Sequence, residues 1–249
     1  MGLVDLKKKA AISLEKKCIH KIPKMQVGVI LDVSGSMESD YNSERGTSRM
    51  YDIFEKCMAV ATQFDDDGNI DLFAFDNTCK ELPSINEKEI DTFDEAIKKN
   101  CWNMWRTTKY AGVLKLVYNR YFEKSKWNSF FLWFFNFISF SFKAVLGQSS
   151  IKVALKTNLA LKQEPVFILF FTDGANDDFS QTLDILEKFQ NQKVFIQFIS
   201  IGPVNDKYLR DYALNKFADH SNIQNVIVSD EEFFDKVFTD KFKKFINTL

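Results

Sequence analysis

Apolar and polar positions alternate along this chain between two kinds of segment. Residues 27–31 are a continuous apolar run, the pattern of a strand buried on both faces. Over 48–64, Met50, Ile53, Phe54, Cys57, Met58, Val60, Ala61 and Phe64 recur at spacings of three and four, which predicts one helical face. After a polar turn at 65–69, residues 70–75 read as a second strand, and 80–83 as a short edge strand ended by proline. Helices are predicted over 91–99 and 110–122, with a loop at 103–109 between them. Residues 166–171 form the clearest buried strand, broken by Thr172-Asp173-Gly174. A helix over 179–190, a strand over 193–201, a helix over 206–214, a short strand at 226–228 and a helix over 230–246 complete the pattern. No internal repeat is present. Strands alternating with helices imply an α/β fold, with a mainly parallel sheet covered on both faces.

Composition narrows the function classes. The 249 residues, 45% of them hydrophobic, suffice for a single domain over 1–249. A net charge of −1 supplies no field that favours nucleic acid, so no nucleic-acid partner is expected. Lys7, Lys8, Lys9, Lys16, Lys17, Lys21 and Lys24 crowd residues 1–25, which predicts a solvated basic arm. The four cysteines are scattered without a C-x-x-C pair, which predicts free thiols in a reducing cytoplasm. Two histidines leave little room for a His-based zinc site or a Ser-His-Asp triad. The first residues lack the apolar core of a secretory signal, and Leu6 stands where myristoylation needs a hydroxyl. Neither G-x-x-x-x-G-K-[ST] nor G-x-G-x-x-G occurs, so phosphate binding by those loops is not supported.

Three polar clusters fall at or near strand ends. Asp32, Ser34 and Ser36 follow the first strand, Asp173 follows the strand at 166–171, and Thr107 and Thr108 precede a helix. Ligands of open parallel sheets bind outside the carboxyl ends of the strands. Hydroxyl and carboxylate oxygens suit Mg²⁺, Ca²⁺ or Mn²⁺. Hydroxyls would ligate directly and carboxylates would hold metal-bound waters. An open position would then favour a carboxylate from another molecule. The alternative is that Ser34-Gly35-Ser36 forms only a turn and a helix cap.

DVSGSM, QFDDDGNIDLFAFD, TTKYAGVL and FILFFTDGAND together resemble a von Willebrand factor A (vWA) domain. More narrowly they resemble the bacterial A-domain proteins associated with tellurium resistance and stress operons. The likeness covers roughly 27–122 and 165–249. It implies a Rossmann-like three-layer fold with a mainly parallel central sheet. It also implies a metal ion-dependent adhesion site and a non-enzymatic role in protein interaction, in a bacterial tellurite or stress response. By position, Ser34, Ser36 and Thr108 would ligate Mg²⁺ directly, Asp32 and Asp173 would act through water, and a protein partner would donate an acidic residue. Where the family often has Gly-Gly-Thr-Asn-Tyr-Ala, this chain has Trp105-Arg106-Thr107-Thr108-Lys109-Tyr110-Ala111. The ligand is thus Thr107 or Thr108, and a bulky cation stands near the loop.

A phosphotransferase reading competes. Asp32-Val33-Ser34-Gly35-Ser36 and Thr172-Asp173-Gly174-Ala175-Asn176-Asp177 are also similar to motifs of the haloacid dehalogenase-like superfamily. That resemblance implies Asp32 as nucleophile, Mg²⁺ on Asp173 and Asp177, and phosphate neutralised by Lys152, Lys156 or Lys162. Against it, Ser34 stands where the soluble phosphatases place a general-acid Asp, no nucleotide-binding or multi-span region accompanies the motif, and the stretch 63–76 has no place in the scheme.

Residues 123–164 form an aromatic and basic insertion too long for an ordinary connection. Its stretch 127–146 predicts contact with a membrane interface or an apolar partner, packing on the domain itself, or a membrane span. The location expected is cytoplasmic, with peripheral membrane association through that stretch. Asp65, Asp66 and Asp67 read as a solvated turn, Trp102 and Trp105 as core or loop anchors, and Glu231 and Glu232 as the acidic start of a helix.

Overall fold

Among the described residues, six strands build one sheet in the order β3-β2-β1-β4-β5-β6. They are β1 (Gln26–Asp32), β2 (Ile70–Phe75), β3 (Cys79–Ile85), β4 (Val166–Thr172), β5 (Val194–Ser200) and β6 (Ile223–Ile227). The computed structural model describes residues 2–42, 47–65, 68–123, 164–173, 176–201, 215–218, 220–228 and 232–249. The insertion apart from its end residues, including 127–146, and the helix expected over 206–214 lie outside the described residues. All neighbouring strands are parallel except β2 and β3, so the sheet is mainly parallel.

Alternation along the strands divides the core in two. Val27, Val29 and Leu31 of β1 join Phe167, Leu169 and Phe171 of β4 on one face. Ile30 joins Val166, Ile168 and Phe170 on the other. The helices are α1 (Leu3–Lys16), α2 (Glu38–Tyr41), α3 (Arg49–Ala61), α4 (Phe93–Cys101), α5 (Tyr110–Tyr121), α6 (Phe179–Phe189), α7 (Phe233–Val237) and α8 (Asp240–Ile246). Residues of α1, α3, α7 and α8 pack in the first core, and residues of α5 and α6 in the second. This is a three-layer, Rossmann-like arrangement. Phenylalanines fill both cores, with Phe167 stacked on Phe242 at 4.6 Å and Phe170 tilted against Phe198 at 4.6 Å.

Gly28 lets α5 approach the sheet closely. A Cβ there would lie 2.7 Å from Ile168 Cδ1 and 3.0 Å from the Tyr121 hydroxyl oxygen. That hydroxyl is held in place, donating to Asp71 Oδ2 at 2.7 Å.

Several elements differ from the sequence pattern. The expected solvated arm contains α1, whose Leu6, Ala10 and Leu14 are buried four residues apart. Ser13 Oγ donates to Asp235 Oδ1 of α7 at 2.6 Å. The lysines crowd the outer face of this helix, opposite the buried stripe. The edge strand β3 runs through Pro83 to Ile85, with a register shift against Ile70 and Leu72 of β2. A 3₁₀ turn over Glu87–Thr92 leads into α4. The helix expected over 230–246 is two, broken at Phe238, with the Thr239 hydroxyl accepting the Phe242 N–H at 3.1 Å to start α8. No helix among the described residues is long and apolar enough to cross a membrane.

Candidate functional site

β1 and β4 end side by side at Asp32 and Thr172. Both belong to the alternating set that faces α5, and their side chains meet there. Asp32 Oδ1 accepts the Ser34 N–H at 2.9 Å, and Oδ2 accepts the Thr172 hydroxyl at 2.7 Å. Thr172 Oγ1 lies 2.7 Å from the Tyr110 hydroxyl, at the start of α5. The carboxyl group of Asp32 is fully buried. Burial raises its pKa from 3.8 to about 7, against the lowering effect of these hydrogen bonds, and the charge of Asp173 adds to the rise.

The turn expected after β1 is present as a 3₁₀ turn over Gly35–Met37. Ser34, at its cap position, makes no side-chain capping bond. Its hydroxyl lies 3.3 Å from that of Ser36 instead. Ser34 is buried and Ser36 exposed, so the pair runs from the strand end towards solvent.

The loop between α4 and α5 is sewn to this turn. The Trp105 N–H donates to the Val33 carbonyl at 3.0 Å, and the Gly35 N–H donates to the Arg106 carbonyl at 3.0 Å. A Cβ at Gly35 would lie 3.1 Å from the Trp105 carbonyl oxygen, so glycine suits this close approach. Trp105 adopts φ +74°, a left-handed conformation unusual for an aromatic residue. Its ring packs edge-on against Tyr41 at 5.5 Å, as a loop anchor. Trp102, by contrast, is 76% exposed and is no part of the core. Of the two threonines, Thr108 is buried and Thr107 exposed. The Thr108 carbonyl accepts the Asp177 N–H at 2.9 Å, which joins the loop to the segment after β4.

The structure therefore brings together the segments that carry Asp32, Ser34, Ser36, Thr108 and Asp173. Asp173 is partly exposed, but its Oδ1 is buried without a hydrogen-bond partner among the described residues. Among the described residues no group of three or more His, Cys, Asp and Glu could hold a metal ion. The candidate set has only two carboxylates, and its remaining oxygens are hydroxyls. Such an all-oxygen set, with one carboxylate oxygen unpartnered and another carboxylate buried at a raised pKa, fits a hard divalent cation.

Three supporting acids and hydroxyls were not singled out from the sequence. Asp76 closes β2 as Asp32 closes β1, and an apolar run ending in an acid was the available signal. Its Oδ1 accepts the Thr78 N–H at 2.7 Å and the Thr78 hydroxyl at 2.8 Å. Its Oδ2 accepts the Arg106 N–H at 3.2 Å and Nε–H at 3.0 Å. Burial pushes the Asp76 carboxyl up, but the bonds from Thr78 and the Arg106 guanidinium outweigh it and hold the pKa below the ordinary value. Asp178 caps α5 from a distant segment, accepting the Tyr110 N–H at 2.9 Å and the Ala111 N–H at 3.0 Å. Thr172 links Asp32 to Tyr110, as described. Of the other residues noted from sequence, Asp65 lies 3.8 Å from Lys24, whereas Asp66, Asp67, Glu231, Lys152, Lys156 and Lys162 lie outside the described residues.

Comparison with known proteins agrees with this geometry. Residues 24–143 match the vWA-TerF-like family, described as the vWA found in the TerF C terminus. The uncharacterized protein YcbR of Bacillus subtilis is 30% identical over 252 residues, covering 96% of this chain and 85% of YcbR. An aerotolerance-related membrane protein from Bacteroides fragilis aligns over 90% of this chain and 100% of its own, at TM-score 0.51 and 11% identity. Proximal thread matrix protein 1 from the mussel byssus aligns at TM-score 0.50 and 14% identity over 87% of this chain, which spans 47% of that protein. At these identities the two structures speak to the fold alone. With its mainly parallel six-stranded sheet, its strand-end site and its relative YcbR, the chain belongs to the von Willebrand factor A domain family.

Proposed function

We propose that this protein is a metal-dependent protein-interaction module. In this reading Mg²⁺ sits at the strand-end site, with Ca²⁺ or Mn²⁺ as substitutes. Ser34, Ser36 and Thr108 ligate it directly, and Asp32 and Asp173 act through water. The carrying observation is the pair of carboxylates at the ends of β1 and β4, one fully buried at a raised pKa and the other with a buried oxygen that has no partner among the described residues. A cation supplies the charge that this pair lacks and attracts a carboxylate from a partner protein. The chain's own residues hold the cation position rigid. Thr172 and the Ser34 N–H fix the Asp32 carboxylate, while the backbone bonds from Trp105 and Gly35 hold the threonine loop beside the serine turn.

Burial also supports binding over phosphotransfer. Both oxygens of Asp32 are engaged and none of its surface is exposed, which suits an outer-sphere anchor better than a nucleophile. The match to the TerF-type family supports placing the module in a bacterial tellurite or general stress response. A pull-down from native extract tests the reading, with wild type and Asp32→Ala, each in Mg²⁺ and in EDTA. Partners are expected only with wild type in Mg²⁺. A partner set indifferent to both changes overturns the reading. Release of phosphate from a generic ester, abolished by Asp32→Asn, would replace it with the phosphotransferase.

A further inference from the structure

Arg106 is the one cation whose backbone is joined directly to the serine turn in the bonds described above. Its carbonyl accepts the Gly35 N–H at 3.0 Å, midway between Ser34 and Ser36. Its guanidinium is oriented from the other side, since Nε donates to Asp76 Oδ2 at 3.0 Å. Asp76 is fully buried and is tied down by the N–H and hydroxyl of Thr78. Neutralising Asp76 does not require the whole guanidinium, because Thr78 and the Arg106 backbone N–H already bond its oxygens. The two terminal guanidinium nitrogens have no hydrogen-bond partner among the described residues, and the side chain is 47% exposed. A planar fork fixed along one edge and open along the other matches the two oxygens of a carboxylate.

The preceding residue shows what this placement demands. Trp105 holds φ +74°, and its N–H and the Arg106 carbonyl are the two groups that stitch the loop to Val33 and Gly35. A left-handed conformation at a bulky residue persists only where the surroundings enforce it, and such residues gather at ligand sites. The same stitching holds the Arg106 backbone against the turn that carries Ser34 and Ser36.

We propose that Arg106 makes the site selective for an acidic protein segment with two neighbouring carboxylates, one for the cation position and one for the open edge of the guanidinium. This rests on the cation reading given above. It adds that a single acidic residue is not enough for full affinity, and that Arg106 is the determinant of the second.

The test is a peptide display selection on the full chain. The library carries one fixed Asp with random flanking residues, and the selection is run in Mg²⁺ and in EDTA. Wild type, Arg106→Gln, Arg106→Lys and Asp32→Ala are compared, and thermal melts establish that each variant is folded. Lysine keeps a positive charge near Asp76 but lacks the fork. In Mg²⁺, wild type is expected to enrich a second Asp or Glu beside the fixed one, and both Arg106 variants are expected to enrich single acids. Changing the second acid of a selected peptide to its amide should weaken wild-type binding by about tenfold or more. The same change should leave the Arg106 variants nearly unaffected. Equal preference for the second acid in wild type and the Arg106 variants overturns the proposal while leaving the cation reading intact. Selection indifferent to EDTA and to Asp32→Ala overturns the cation reading itself, and this proposal with it.

Discussion

The carboxyl group of Asp32 has no exposed surface, and burial lifts its pKa from 3.8 to about 7. The native state therefore holds this proton more tightly than the unfolded chain does. The stability that results is full below about pH 4 and is lost as pH rises to about 7. In EDTA at pH 8 the ionised group thus costs stability, and Asp32→Asn is expected to be more stable than wild type by about 1–3 kcal/mol. At pH 4 the two should be nearly equal by urea denaturation. The same variant is expected to show no heat of Mg²⁺ binding by titration calorimetry. At this scale the sequence pointed to Asp32, Ser34, Ser36 and Asp173 as candidates, because a carboxylate or hydroxyl at a strand end stands out in a short window. It did not choose between Thr107 and Thr108, which the fold separates by burial, nor did it point to Asp178, whose partner Tyr110 is 68 residues away. Supports of that kind depend on how remote segments meet, and no local pattern encodes it.

Elements were legible where one side chain pattern dominated. The spacing over 48–64 became α3, and the apolar runs became β1, β2 and β4. α1 was hidden because seven lysines outweighed a buried stripe of three residues, and α7 and α8 were merged because Thr239 reads as an ordinary mid-helix residue until its hydroxyl is seen capping Phe242. Contacts between elements allow a sharper expectation. Gly28 faces Ile168 and Tyr121 with no room for a methyl group. Gly28→Ala is expected to lower stability by about 1–3 kcal/mol through overpacking. Adding Tyr121→Phe, which removes the hydroxyl 3.0 Å from the added Cβ, should make the combined loss smaller than the sum of the two single losses, as read by denaturant unfolding.

Across the whole molecule, three segments far apart in sequence converge at one end of the sheet, joined by the bonds Gly35 N–H to Arg106, Trp105 N–H to Val33 and Asp177 N–H to Thr108. A ligand shared by all three stabilises the closed arrangement over its local openings. Saturating Mg²⁺ is expected to slow hydrogen exchange at these three amides more than at the interior strand residue Ile196, and to have no such effect in Asp32→Ala. The remaining consequence lies at the far margin of the sheet. Sheets grow when a bare lateral strand recruits its like from a neighbouring copy. β3 forms one margin, and it carries Pro83, which has no N–H to offer, beside an irregular register with β2. A proline at that position blunts the margin against such pairing. Pro83→Thr restores the missing donor, and light scattering is expected to show concentration-dependent polymerisation that wild type resists.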